Sequence, residues 1–241
     1  MDLSELQPGG HDDEPHGDGM RARLNWLRAG VLGANDGIVS TAGLVMGVAG
    51  ATTDRTAIFI AGIAGLAAGA LSMAAGEYVS VSTQRDSELA LLAKERRELL
   101  EEPEEELEEL AGIYVSKGLS DDLALEVAKQ LTEHDALGAH AEAELGIDPN
   151  EVTSAWAAAF ASMIAFTLGA LLPLLTILLA AESLRVPVTV VAVGLALALT
   201  GWSSAKMSYG PRGRAVLRNV GGGLLAMTIT YGIGSLIGTQ V

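Results

Sequence analysis

Residues 56–81 read TAIFIAGIAGLAAGALSMAAGEYVSV, and residues 84–110 read QRDSELALLAKERRELLEEPEEELEEL. The first run carries no charge apart from Glu77 and exceeds the roughly 20 residues that a helix needs to cross about 30 Å of hydrocarbon. The second run is crowded with Glu and belongs in water. No glycine or proline lies between Tyr78 and Glu101, so one helix can pass through the change of character. The pair of segments predicts a membrane-spanning helix that leads into an acidic helical insert.

The same segregation runs through the whole chain. It has 241 residues, 49% of them hydrophobic, yet a formal charge of -15. Nineteen of the 30 acidic residues fall between Asp86 and Asp148, where only five Lys or Arg occur. Four more apolar runs, at about 29–50, 152–181, 186–205 and 216–237, are long enough to span a bilayer. The expected fold is therefore all-α, an integral membrane protein of five transmembrane helices with an acidic helical insert between helices 2 and 3. The expected organisation is an acidic tail (1–24), helices 1–2 (25–83), the insert (84–150) and helices 3–5 (151–241).

Lys and Arg set the expected orientation. Arg21, Arg23 and Arg28 precede the first span, and Lys206, Arg212, Arg214 and Arg218 separate the fourth and fifth. The opposite loops carry one Arg each, Arg55 and Arg185. This places the amino end and the insert in the cytoplasm and the carboxyl end outside. The first 20 residues lack an apolar core and read as a solvated tail rather than a signal peptide. His11 and His16 in that tail, beside Asp12, Asp13 and Glu14, are open to a weak metal-binding reading or a plain solvated one. Small-residue pairs (Gly43 with Gly47, Gly65 with Gly69) and the run Gly221–Gly223 allow close helix packing, within one subunit or across a dimer.

The insert reads as several helices. Residues 85–101 are good helix formers, Pro103 suits the first turn of the next helix, and Gly118 suits its stop. Ser120 then caps a third helix that runs toward Gly138, with a last piece through Leu145.

Some chemistries are excluded. With no cysteine there are no thiolate sites or disulfides. The acidic balance argues against nucleic acid and for cations. No P-loop supports ATP-driven transport, no Glu-x-x-His pair supports a di-iron oxidase centre, and no enzymatic activity is expected.

Asp36 sits inside the first span, in Ala34-Asn35-Asp36-Gly37. A carboxylate there is costly and marks a functional site by default; the bland alternative is a boundary carboxyl bonded to backbone. Met73 and Glu77 share a helix face, and with Asp36 they offer hard and soft ligands for a borderline divalent metal such as Fe(II). In the insert, Glu95 with Glu98 and Glu106 with Glu109 form two Glu-x-x-Glu pairs, each on one helical face. A helix carrying His140, Glu142 and Glu144 could close a site between them. The alternative is a charged surface, since acidic helices produce such pairs by chance. His134, in a Glu-His-Asp run, is read as surface.

The residues Gly33-Ala34-Asn35-Asp36-Gly37, Leu71-Ser72-Met73-Ala74-Ala75-Gly76-Glu77-Tyr78 and the Glu-rich insert ending in Glu144-Leu145-Gly146 resemble the vacuolar iron transporter family and its bacterial relatives, from about residue 27 to the carboxyl end. The resemblance implies a homodimer with a path along its interface, and exchange of Fe(II), and often Mn(II), for protons, moving metal out of the cytoplasm. It implies intramembrane ligands at Asp36 and Met73, and insert ligands at Glu95, Glu98, Glu106, Glu109 and Glu144. His140 falls where plant members have Met, and Gly65 where they have an intramembrane Glu that Glu77 is placed to replace. The expected partners are a second copy, the bilayer and divalent metal as substrate, with no permanently bound cofactor; the expected location is a bacterial plasma membrane. Two rival readings stand beside this one. One is a membrane-anchored metal sensor or buffer, and the other a scaffold whose acidic domain recruits a basic partner.

Overall fold

The computed structural model describes residues 20–149, 154–208 and 210–238. The tail histidines His11 and His16 lie outside them. The described residues form seven α-helices and one π-helical turn: α1 (Met20–Ala51), α2 (Arg55–Glu101), α3 (Pro103–Ser116), α4 (Asp121–His140), the turn Ala141–Leu145, α5 (Ala155–Leu179), α6 (Arg185–Met207) and α7 (Arg212–Gly238). Five of these, all but α3 and α4, are long and apolar enough to cross a membrane. The described residues divide into two compact units, one up to Glu77 and from Trp156 onward, the other within Tyr78–Ala155. Helix α2 contributes to both.

In the first unit, sequence spacing becomes packing most plainly on α6. Its buried residues are Arg185, Thr189, Val193, Leu197, Gly201 and Ala205. They follow one another every four residues, the inclined ridge along which helices cross their neighbours. Val193 and Leu197 enter a core with Ile38, Ala42, Val45 and Met46 of α1, Ile58 of α2, Leu174 and Ile177 of α5, and Met227 of α7. The opposite faces stay apolar: Ile60, Leu71, Leu168, Leu195, Leu225 and Leu236 are all exposed. Such a surface would drive association in water, and it is what hydrocarbon requires.

Helices α1 and α5 approach through glycine. A Cβ on Gly37 would run into the Phe166 carbonyl oxygen, and one on Gly169 into that of Ala34. Hydrophobic transfer cannot join helices already surrounded by lipid, so close van der Waals contact does it. At the loop ends, guanidinium groups bond carbonyls reciprocally: Arg185 Nη1 donates to Thr53 at 3.0 Å and Arg55 Nη2 to Ala180 at 3.3 Å. Asp54 accepts from the Thr56 amide at 2.9 Å and so caps α2.

The second unit has a small core of Leu110, Ala111 and Ala128, edged by Leu107, Tyr114 and Leu131. Pro103 opens α3 and Gly118 ends its turn with φ +105°, as the sequence predicts. Ser120 stands at the start of α4 in extended conformation, but its hydroxyl makes no capping bond. Helix α4 is also interrupted. Asp135 has extended backbone (φ -158°, ψ 92°), and its carboxylate accepts from the Gly138 amide at 3.0 Å. It caps the final helical piece, so the break falls at Asp135, ahead of the Gly138 toward which the sequence predicts the helix to run.

Gly37→Val or Gly169→Val should lower the thermal midpoint in detergent, at a cost of about 1–3 kcal/mol typical of overpacking. Gly194→Ala, where nothing lies within 4 Å of the added methyl, should leave the midpoint unchanged or raise it. Thermal unfolding followed by size-exclusion chromatography distinguishes the two.

Candidate metal sites

Helices α1, α2 and α5 line an open cavity of about 320 Å³ bounded by Asp36, Ser40, Thr41, Leu44, Gly65, Gly69, Ser72, Met73 and Phe166, in which Asp36, Ser40 and Ser72 are exposed. Asp36 and Met73, paired on sequence grounds, therefore face one space. Glu77, the third residue of that expected set, is half-buried one turn beyond Met73 and is not among the lining residues. Three hydroxyls on the wall (Ser40, Thr41 and Ser72) were not singled out from the sequence. Their signal was present, since Ser40 follows Asp36 by four residues and Ser72 adjoins Met73. Gly65, the position noted for lacking a carboxylate, also lines the cavity.

The second site lies wholly within the insert. Glu95 comes from α2, Glu106 from α3, His140 from the end of α4 and Glu144 from the π-helical turn. A left-handed glycine, Gly146 (φ +65°), closes that turn. His140 is 0% exposed, Glu95 3% and Glu106 6%. The imidazole Nδ1 lies 3.0 Å from Glu95 Oε1 and 3.4 Å from Glu106 Oε2. These are close approaches without hydrogen-bond alignment: among the described residues neither ring nitrogen, nor Glu95 Oε1, has a hydrogen-bonding partner. Buried polar atoms left unpaired are costly, and an ion bound by Glu95 Oε1 and one imidazole nitrogen would satisfy two of the three. One ligand atom each from Glu95, His140 and Glu144 fall within 4.8 Å of one another. Bond lengths of about 2.0–2.2 Å require these atoms to close inward only slightly around an ion.

Electrostatics points the same way. Burial, then Glu144, Glu106 and Glu98, push the Glu95 carboxyl up to about 7. Burial is also the main cause that raises Glu106 and Glu144, with Glu109 next in each case. Burial pushes His140 down, toward the neutral imidazole that binds metal. Carboxyls raised in this way would release protons on binding a cation.

Not every expected ligand joins the cluster. Glu98 is held by Lys94 Nζ at 2.6 Å, an internal cation already in place. Glu109 is exposed and acts on Glu106, Glu144 and His140 through its charge. His134 is exposed, consistent with a surface residue.

Five apolar helices with a carboxylate-lined cavity, and an insert with a buried carboxylate–imidazole cluster, define a membrane protein built to handle cations. The VIT family model matches residues 27–235, and this chain belongs to the VIT family, whose members are transporters and not enzymes. It is 43% identical over 218 residues to the vacuolar iron transporter of Acanthamoeba castellanii, covering 88% of this chain and 78% of that one. It is 38% identical over 219 residues to vacuolar iron transporter homolog 3 of Arabidopsis thaliana, covering 90% and 86%. To VIT-like transporter 1b of Glycine max the identity is 36% over 219 residues, covering 90% and 79%.

Two outcomes follow for metal binding measured by calorimetry. Affinity should be highest near pH 8 and fall as pH drops through about 7, by up to tenfold per unit for each proton that the ion displaces. Lys94→Ala should tighten binding a few-fold by freeing Glu98, whereas Glu95→Gln or His140→Ala should weaken it by 10-fold or more. The stability of the metal-free protein should run the other way. The raised Glu95 group stabilises the fold below the ordinary carboxylate range, and that contribution is lost as pH rises through about 7.

Proposed function

We propose that this protein carries iron(II), and also manganese(II), across the membrane in exchange for protons and out of the cytoplasm. The observation that carries this reading is the shared cavity of Asp36 and Met73. A carboxylate and a thioether facing one space inside spanning helices suit a borderline divalent ion. The relatives, vacuolar iron transporters by name, favour iron as that ion.

The mechanism follows from the chemistry of the ligands. The insert, on the cytoplasmic side, gathers metal at Glu95, His140 and Glu144, with Glu106, Glu98 and Glu109 supplying charge. The ion then passes to Asp36 and Met73, with Glu77 a turn away. A carboxylate binds either a metal ion or a proton, so a higher proton concentration on the far side displaces the ion there. A homodimer would place two copies of this path side by side. A bacterial plasma membrane, with the amino end inside and the carboxyl end outside, completes the proposal.

A sensor or buffer would bind metal at the insert alone and move none. The test is uptake of Fe(II) into proteoliposomes across an imposed pH gradient. Asp36→Asn should reduce the rate at least 50-fold while inserting and purifying normally. Glu95→Gln should raise the metal concentration needed for half-maximal rate and leave the maximal rate largely intact. Parental uptake by Asp36→Asn rules out the cavity as the path, and absence of uptake by the parent protein favours the buffer.

A further inference from the structure

Asn35 adjoins Asp36 in α1, about 100° around the helix, and makes a different set of contacts. Its Oδ1 accepts from Nδ2 of Asn219 on α7 at 3.2 Å and from Oγ1 of Thr200 on α6 at 3.4 Å. The Thr200 hydroxyl also lies 3.2 Å from the Leu197 carbonyl of its own helix, so its proton is shared. All three residues are partly buried, and none lines the cavity that holds Asp36. Three spanning helices therefore meet at one side-chain oxygen.

The cavity side of α1 is held differently. Gly33 and Gly37 lie against Ser162, Ala165 and Phe166 of α5. That contact is van der Waals packing, which fixes how near the helices come but has little directional preference. Hydrogen bonds to an amide oxygen are directional, and in hydrocarbon no water replaces one that is lost. Turning α1 far enough to carry the Asp36 carboxylate out of the cavity would pull Asn35 from both donors.

We infer that Asn35, Thr200 and Asn219 form a positioning triad that sets the rotation of α1 and so holds the Asp36 carboxylate in the cavity beside Met73. This rests on the reading of Asp36 as a transport ligand. The triad touches no cargo; it acts through Asp36, and it ties that ligand to α6 and α7, which contribute no residue to the cavity lining. Loss of the triad should misplace the ligand and weaken cargo binding more than it slows turnover.

The experiment is Fe(II) uptake by full-length protein in proteoliposomes, with KM and maximal rate measured separately. Thr200→Val and Asn219→Leu conserve volume and remove one donor each; Thr200→Ser conserves the hydroxyl. The Thr200→Val/Asn219→Leu double variant should raise KM at least fivefold, with the maximal rate within twofold of the parent and an unchanged elution profile. Each single variant should raise KM two- to threefold, which keeps the test available if the double variant does not fold. Thr200→Ser should match the parent. A KM within 1.5-fold of the parent for both single variants overturns the triad, as does a Thr200→Ser defect equal to that of Thr200→Val. Asp36→Asn, run alongside, separates the two ideas: if it transports normally, the site reading itself falls. If it is silent while the triad variants keep parental KM, only the triad falls.

Discussion

A carboxylate deprived of water must find a cation, a proton or a set of polar partners, and both sites in this protein are arranged around that requirement. In the spanning unit, Asp36 opens on a cavity whose wall also carries three hydroxyl-bearing residues and one thioether. In the insert, Glu95 and Glu106 are almost fully buried beside an equally buried imidazole. Neither arrangement stabilises the protein on its own account, since transfer of charge from water costs more than neutral neighbours return. A divalent ion would offset that cost at either site, displacing in the insert the proton that burial favours on Glu95.

Helix packing makes these arrangements possible. The backbone-to-backbone approach of α1 and α5 at Gly37 and Gly169 brings Phe166 to one wall of the cavity and leaves Asp36 on another. The four-residue ladder on α6 turns one face of that helix into the core and leaves Leu195 and Leu199 for lipid. In the insert the same role falls to a broken helix. The Asp135 cap and the π-helical turn that follows redirect the chain so that His140 and Glu144 face Glu95. Irregular helix of this kind recurs at functional sites because it re-aims side chains that a regular helix would spread around its axis.

Charge organises the insert at a second level. With so many carboxylates on short helices, repulsion opposes folding, and local cations relieve part of it. Lys94 does this for Glu98 at 2.6 Å. A tethered ammonium is a compact, hydrated cation that would give way to a divalent ion able to bind several carboxylates at once. At the proposed metal site, protons and Lys94 would therefore both compete with an incoming ion.

The sequence by itself determined the class of the fold. Five runs of hydrocarbon length, interrupted by one acidic stretch, leave few alternatives, because backbone in lipid must bond within its own helix. It also marked Asp36, Met73, Glu95, Glu106, His140 and Glu144, since carboxylates in apolar surroundings and Glu pairs at helical spacing are visible in one dimension. Only the tertiary structure separated Glu95, His140 and Glu144, which share a cluster, from Glu98, which Lys94 holds, and Glu109, which stays exposed. Only it showed that Met73 lines the cavity of Asp36 while Glu77 does not, and that Asn35 bonds Thr200 and Asn219 from 165 and 184 residues away. The physical reason is the same in each case. Helical periodicity fixes which residues share a face of one helix, whereas the direction of that face depends on close contacts, broken turns and shared hydrogen bonds between segments far apart in the chain.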